Sequence, residues 1–244
     1  MKILVCMSVV PDTTTKINFT DNNTKLNTAG IQYIINPYDE LSLTKALEIT
    51  EKSGSTVTIV NVGLADADVV IRKALAIGAN DAIRVNEDPT DGQYVAEQIA
   101  EIAKAGAYDM ILTGRESIDY NGGQVAGLLA QLLDIPSVNV CTKMDVIDGK
   151  AHFERDIDGG RETIITELPV IASAQKDLCE PRIPNMKGIM AARTKPLTVV
   201  EPKVIEGYSV YSQFESPVAK QAVQLFDSQN AAQLIEKLRE TKVI

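Results

Sequence analysis

Residues 109–127 read DMILTGRESIDYNGGQVAG, and this stretch decides the fold. Met110 to Leu112 is a short apolar run that stops at Gly114, the pattern of a strand buried on both faces. Arg115 to Gln124 is polar and carries the pair Gly122-Gly123, so it reads as a loop. Beyond it Val125, Leu128, Leu129 and Leu132 recur at helical spacing. Strand, glycine-bearing loop and helix in that order make the opening of a βαβ crossover.

The same alternation extends upstream. KILVCMSVV (residues 2–10), TVTIVNVG (56–63) and DAIRV (81–85) are β-rich runs. Between them, Asn36-Pro37-Tyr38-Asp39 opens a helix whose Leu43, Ala46, Leu47 and Thr50 share a face as far as Lys52. Ala67, Val70, Ile71, Ala74 and Leu75 mark a second helix, closed by Gly78 and Asn80. Asp91 is placed to cap a third through Val95, Ile99, Ile102 and Ala103. The expected fold is α/β, a mostly parallel sheet with helices on both faces, Rossmann-like. After Pro136 the helices stop. Asp148-Gly149 and Asp158-Gly159-Gly160 supply turn chemistry, which predicts an extension of antiparallel hairpins. From Cys179 onward Pro181, Pro184, Pro196, Pro202 and Pro217 recur and periodicity fades, so this stretch reads as an arm. Helical spacing returns at Ala232, Leu234, Ile235 and Leu238. The boundary is set at 190: an α/β domain with hairpin over 1–190, and an arm with a terminal helix over 191–244.

Composition narrows the function. With 33 acidic and 24 basic residues the net charge is -9, a surface that repels phosphate backbones and argues against nucleic acid. Ile3 to Val10 is far shorter than the roughly 20 residues a membrane span needs, so it is expected to be a first strand, with no membrane insertion. Cys6, Cys141 and Cys179 are widely spaced, without a C-x-x-C, which speaks for a reducing cytoplasm and against a metal ribbon. The single histidine, His152, falls in an expected exposed hairpin, leaving no hydrolytic constellation.

Ligands of open parallel sheets bind beyond the carboxyl ends of the strands. Here those ends are Cys6-Met7-Ser8, Val62-Gly63-Leu64 and Thr113-Gly114, two of them with a glycine that lets a ligand approach the backbone. Gly122-Gly123 precedes a helix start, whose free N–H groups suit a phosphate. Asp119 and Asn121 beside it would bind ribose hydroxyls or cap the helix. An ordinary βα turn explains the same residues, since neither G-x-G-x-x-G nor a Walker motif is present.

Longer motifs settle the choice. Asn36-Pro37-Tyr38-Asp39, Ala76-Ile77-Gly78-Ala79, Gly114-Arg115-Glu116-Ser117-Ile118-Asp119, Arg155-Asp156-Ile157-Asp158-Gly159-Gly160-x-Glu162 through Leu168-Pro169, Glu180-Pro181-Arg182 and Lys187-Gly188-Ile189-Met190 follow in order along the chain. In order and spacing they resemble the β subunits of electron transfer flavoproteins (ETF). The resemblance implies the smaller half of an obligate heterodimer that carries electrons without a catalytic constellation of its own, its arm and terminal helix over 191–244 wrapping the α subunit. It implies an FAD held mainly by the α subunit. It further implies dehydrogenases such as acyl-CoA dehydrogenases as donors, and a membrane quinone reductase or another partner as acceptor.

The same resemblance implies a buried structural AMP held by Cys6, Asn36, Pro37, Tyr38, Asp39, Val62 and the loop Gly114, Arg115, Glu116, Ser117, Ile118, Asp119, Tyr120, Asn121, Gly122, Gly123, Gln124 and Val125. Electron-bifurcating members hold a second FAD there instead. Their loop typically has a threonine after an acidic pair, which Tyr120-Asn121-Gly122-Gly123-Gln124 lacks. Arg182, Ile183, Pro184, Asn185, Met186, Lys187, Gly188, Ile189 and Met190 match a partner-recognition loop, with Met186 at its apolar anchor. Asp156 matches an acid that latches the mobile flavin domain. Ser8 and Thr13 depart from the family, which often has a lysine and, in some members, an aromatic residue there. A universal-stress-type adenine nucleotide binder shares this sheet, but its G-x-x-G…G-[ST] pattern is missing.

Overall fold

The computed structural model describes residues 1–89, 91–220 and 222–244. The chain opens with β1 (Lys2–Cys6), buried from Ile3 onward. Four short strands follow, β2 (Val9–Pro11), β3 (Phe19–Thr20), β4 (Lys25–Leu26) and β5 (Tyr33–Ile35), paired antiparallel as β2 with β5 and β3 with β4. Then come α1 (Pro37–Ser53), β6 (Thr56–Val62), α2 (Asp68–Ile77), β7 (Asp81–Val85), α3 (Gly92–Gly106), β8 (Met110–Gly114) and α4 (Val125–Leu133). Pro37 starts α1 where its missing N–H costs nothing, and Gly54 ends it in the left-handed region at φ 66°. Asp91 caps α3 by accepting from the Tyr94 N–H, as the sequence predicts.

The hairpin extension is β9 (Ser137–Ile147), β10 (Lys150–Ile157) and β11 (Gly160–Glu167), antiparallel throughout. The next strand, β12 (Val170–Ala174), corrects the expectation of hairpins alone. It runs parallel to both β9 and β8 and sits between them. All five of its residues are buried, so it belongs inside the sheet, where both faces are covered. His152, expected on an exposed hairpin, is half-buried within β10.

The arm is less irregular than its prolines suggest. Asn185 accepts from the Gly188 N–H and starts a short helix, α5 (Met186–Ala192), which packs on α2. Met186 therefore has a helical position, which its turn-forming neighbours in sequence do not signal. Beyond it, β13 (Leu197–Val200) pairs parallel with β7 at the sheet edge, and α6 (Ala231–Glu240) closes the chain.

The main sheet has nine strands in the order β11-β10-β9-β12-β8-β1-β6-β7-β13. Helices α1 and α2 bury Leu43, Ala46, Leu47, Ile71 and Leu75 against one face, and α3 and α4 bury Ile99, Ala103 and Leu129 against the other. The fold is thus an α/β sheet covered on both sides, with an antiparallel extension. Among the described residues no helix is long and apolar enough to cross a membrane.

Candidate functional site

A cleft of about 1600 Å³ opens at the carboxyl ends of β1, β6 and β8. It takes in the expected ligand residues except Asn36, Asn121 and Gln124. The first turn of α1 forms its base. Asp39, buried there, accepts from the Ser8 N–H at 2.8 Å and the Gly114 N–H at 2.7 Å. One carboxylate thus ties the exit of β1 to the exit of β8. Burial pushes its carboxyl up to about 6, against the lowering effect of these N–H bonds. A Cβ on Gly114 would collide with that carboxylate and with Tyr38, so only glycine fits.

Asn36 braces the loop from beneath. Its Nδ2 donates to the Glu116 carbonyl at 2.8 Å, and its Oδ1 accepts from the Ile118 N–H at 3.3 Å. The side chain is consumed by the protein, which explains why it stays out of the cleft. Above it the loop closes on itself through the Ser117 N–H to the Gly122 carbonyl at 3.0 Å, with Asn121 left-handed at φ 56°. Asp119 turns to the Ser117 hydroxyl and the Tyr120 N–H, so neither of the expected capping residues reaches α4. Gln124 lies against Gly92 at the start of α3. Among the described residues no side chain caps α4, and its first-turn N–H groups remain available to an anion.

Arg115 leaves the loop sideways. It pairs with Glu116 at 3.0 Å and stands 5.4 Å over the Tyr38 ring. These two residues separate the cleft from a smaller polar pocket of about 500 Å³ that contains Asp156, Arg161 and Lys143. Asp156 is exposed near the tip of the β10–β11 hairpin, 3.1 Å from Arg161. Cys6 and Val62 are buried walls, and burial together with the Asp39 charge drives the Cys6 thiol far up, so it stays neutral.

Sequence reasoning missed Asn61. It stands among the apolar residues of β6, is 2% exposed, and lines the cleft. Its Nδ2 is fixed on the Met7 carbonyl at 2.8 Å, leaving Oδ1 as a buried acceptor with no partner among the described residues. An amide side chain set between Val60 and Val62 in TVTIVNVG was the available signal, since buried polar groups are the informative exceptions. Glycine-lined strand ends, a helix start without a capping side chain and an orphan acceptor together fit a nucleotide, which offers phosphate, sugar and base N–H groups.

Residues 182–190, expected to recognise a partner, lie instead by the C-terminal ends of α1 and α2. Arg182 turns inward, bidentate on Glu51 at 2.6 and 2.9 Å, and so fastens the segment to the end of α1. Gly188 approaches the Ala76 carbonyl at the end of α2 too closely for a Cβ. Ile183, Met186 and Met190 point away, 90%, 74% and 68% exposed.

An open α/β sheet with a cleft at the carboxyl ends of its strands defines a Rossmann-like fold. Residues 24–205 match the family model described as the electron transfer flavoprotein domain. The chain is 41% identical over 205 residues to the electron transfer flavoprotein subunit beta of Bacillus subtilis (strain 168), covering 82% of this chain and 79% of that protein. It is 37% identical over 224 residues to the same subunit of Syntrophomonas wolfei, covering 91% and 88%. For the human subunit the identity is 31% over 208 residues, covering 83% and 82%. The chain belongs to the electron transfer flavoprotein β-subunit family.

Proposed function

We propose that this chain is the nucleotide-holding β subunit of a heterodimeric electron carrier. The observation that carries the reading is the cleft: backbone glycines at 63, 114, 122 and 123, a helix start without a capping side chain, and an orphan buried acceptor, in a chain of this family. AMP is the ligand that matches. Its phosphate would lie on the first turn of α4 and its base among Cys6, Val62 and their apolar neighbours. Asp39 stays behind the site, holding the two strand exits in register.

FAD, held mainly by the α subunit, supplies the electron uptake and release. The role of this chain is to fix the partner and present a docking face to donors. Ile183, Met186 and Met190 are exposed apolar side chains on a segment fastened by Arg182–Glu51, which supports docking of a dehydrogenase. Asp156, on an exposed hairpin beside Arg161, suits an ionic latch for the flavin-bearing domain. A quinone reductase or another acceptor then draws the electrons off, and no step needs a nucleophile or base from this chain.

Co-expression with the cognate α subunit tests the reading. The expected product is a yellow heterodimer that dehydrogenase and substrate reduce, while this chain alone is colourless. A stable monomer that binds flavin stoichiometrically and reduces dyes by itself would contradict it.

A further inference from the structure

Past β13 the arm stays on its own domain. The Lys203 N–H donates to Gln98 Oε1 and the Lys203 carbonyl accepts from Gln98 Nε2, both at 2.8 Å, which lays the chain along α3. Ile205 packs against the core beneath α3 and α4. At the start of α3 Asp91 serves two partners. Its Oδ1 caps the helix, and its Oδ2 accepts from the Tyr208 and Ser209 N–H groups at 2.6 and 2.9 Å. The Tyr208 hydroxyl donates to Glu97 at 2.8 Å.

The other end of this span is pinned across the cleft. Phe214 stacks on Phe19 of β3, with ring centroids 5.0 Å apart and planes 8° from parallel, and its N–H donates to the Asn23 carbonyl at 2.7 Å. Tyr211 lies between the two pins, 5.5 Å from the Phe214 ring. Both Tyr211 and Phe214 line the cleft, together with Tyr120 of the glycine loop. Tyr211 still keeps 61% of its surface exposed, so the span gains contact if something flat lies beneath it. Hydrogen bonds this exposed contribute little alone, and a strap held only by them would open readily.

We infer that residues 208–214 form a strap that closes the cleft over its ligand, with Tyr211 and Phe214 as ligand-binding residues whose rings cover the base of the bound nucleotide. This rests on the reading of the cleft as a nucleotide site. The strap gives residues 208–214 a task inside the β subunit, and leaves α6 free for a partner.

The test uses the intact heterodimer loaded with isotope-labelled AMP and chased with unlabelled AMP, the label being followed by mass spectrometry. The double variant Tyr211→Ala, Phe214→Ala should release the label at least about fivefold faster than wild type, the lower end for loss of a base–aromatic stack. The conservative pair Tyr211→Phe, Phe214→Tyr should restore slow release. Equal release from wild type and the alanine variant would overturn the strap while leaving the nucleotide site intact. A wild-type dimer that holds no AMP would overturn the reading of the cleft, and the strap with it.

Discussion

Asp39 Oδ1 and the Gly114 N–H meet at 2.7 Å, joining the first turn of α1 to the end of β8 beneath the cleft. The approach leaves no space for a side chain at 114. Gly114→Ala should therefore cost about 1–3 kcal/mol through overpacking and displace the loop that follows. Thermal melting should fall and bound nucleotide should fall with it. An unchanged melt with full nucleotide content would mean that the contact is slack.

Burial sets the pH behaviour of the same carboxylate. Its folded value of about 6 lies above the usual 3.8, so the folded protein binds this proton more tightly than the unfolded chain does. The stability it contributes is complete below about pH 4 and is lost as pH rises to about 6, opposite to a carboxylate held low. Asp39→Asn removes the titration, although its amide puts an N–H against a donor and weakens the fold at pH 4. Relative to wild type, the variant should then gain on the order of 2–3 kcal/mol between pH 4 and pH 7. Denaturant melts across that range read the difference directly, and parallel curves would contradict it.

Met186 opens α5 with 74% of its surface exposed, so its side chain contributes little to the core. Met186→Ala should leave the melt, flavin content and bound AMP nearly unchanged. Docking of the donor dehydrogenase should weaken by about 1–3 kcal/mol, roughly 5- to 150-fold, seen as a raised apparent KM. Reduction by dithionite should proceed normally. Unfolding with normal donor kinetics in the surviving fraction would make Met186 a structural residue.

Arg182 and Glu51 form a bidentate pair that orients the same segment from behind. Arg182→Lys keeps the charge but loses the fork, so stability should change by no more than about 1 kcal/mol. The apparent KM for the donor should rise all the same, because the patch loses its fixed direction. A donor response identical to wild type would remove Arg182 from the account.

The sheet and its helices were legible because buried apolar runs and 3.6-residue spacing are local signals. Asp91 as a cap and Pro37 as a helix start were local too. What escaped was set by distant partners. β12 sits inside the sheet because its five buried residues are covered on both faces, which a turn signal cannot convey. α5 is too short for periodicity and depends on Asn185 and on α2. At the site the glycines could be read, but the roles of Asn36 and Asp39 could not. Both look like ligand groups in sequence, and their polar atoms turn to Glu116, Ile118, Ser8 and Gly114. Asn61, Tyr211 and Phe214 join the cleft only once the chain is folded.

In the proposed function the cleft holds a structural nucleotide while the working flavin sits with the partner. The cleft, at about 1600 Å³, is roomier than a typical ligand pocket, so its content and not its size is decisive. Acid extraction of the purified heterodimer, followed by chromatography of the released nucleotides, measures that content. One AMP and one FAD per dimer is the predicted result. Two FAD and no AMP, or no nucleotide beyond the single flavin, would contradict it.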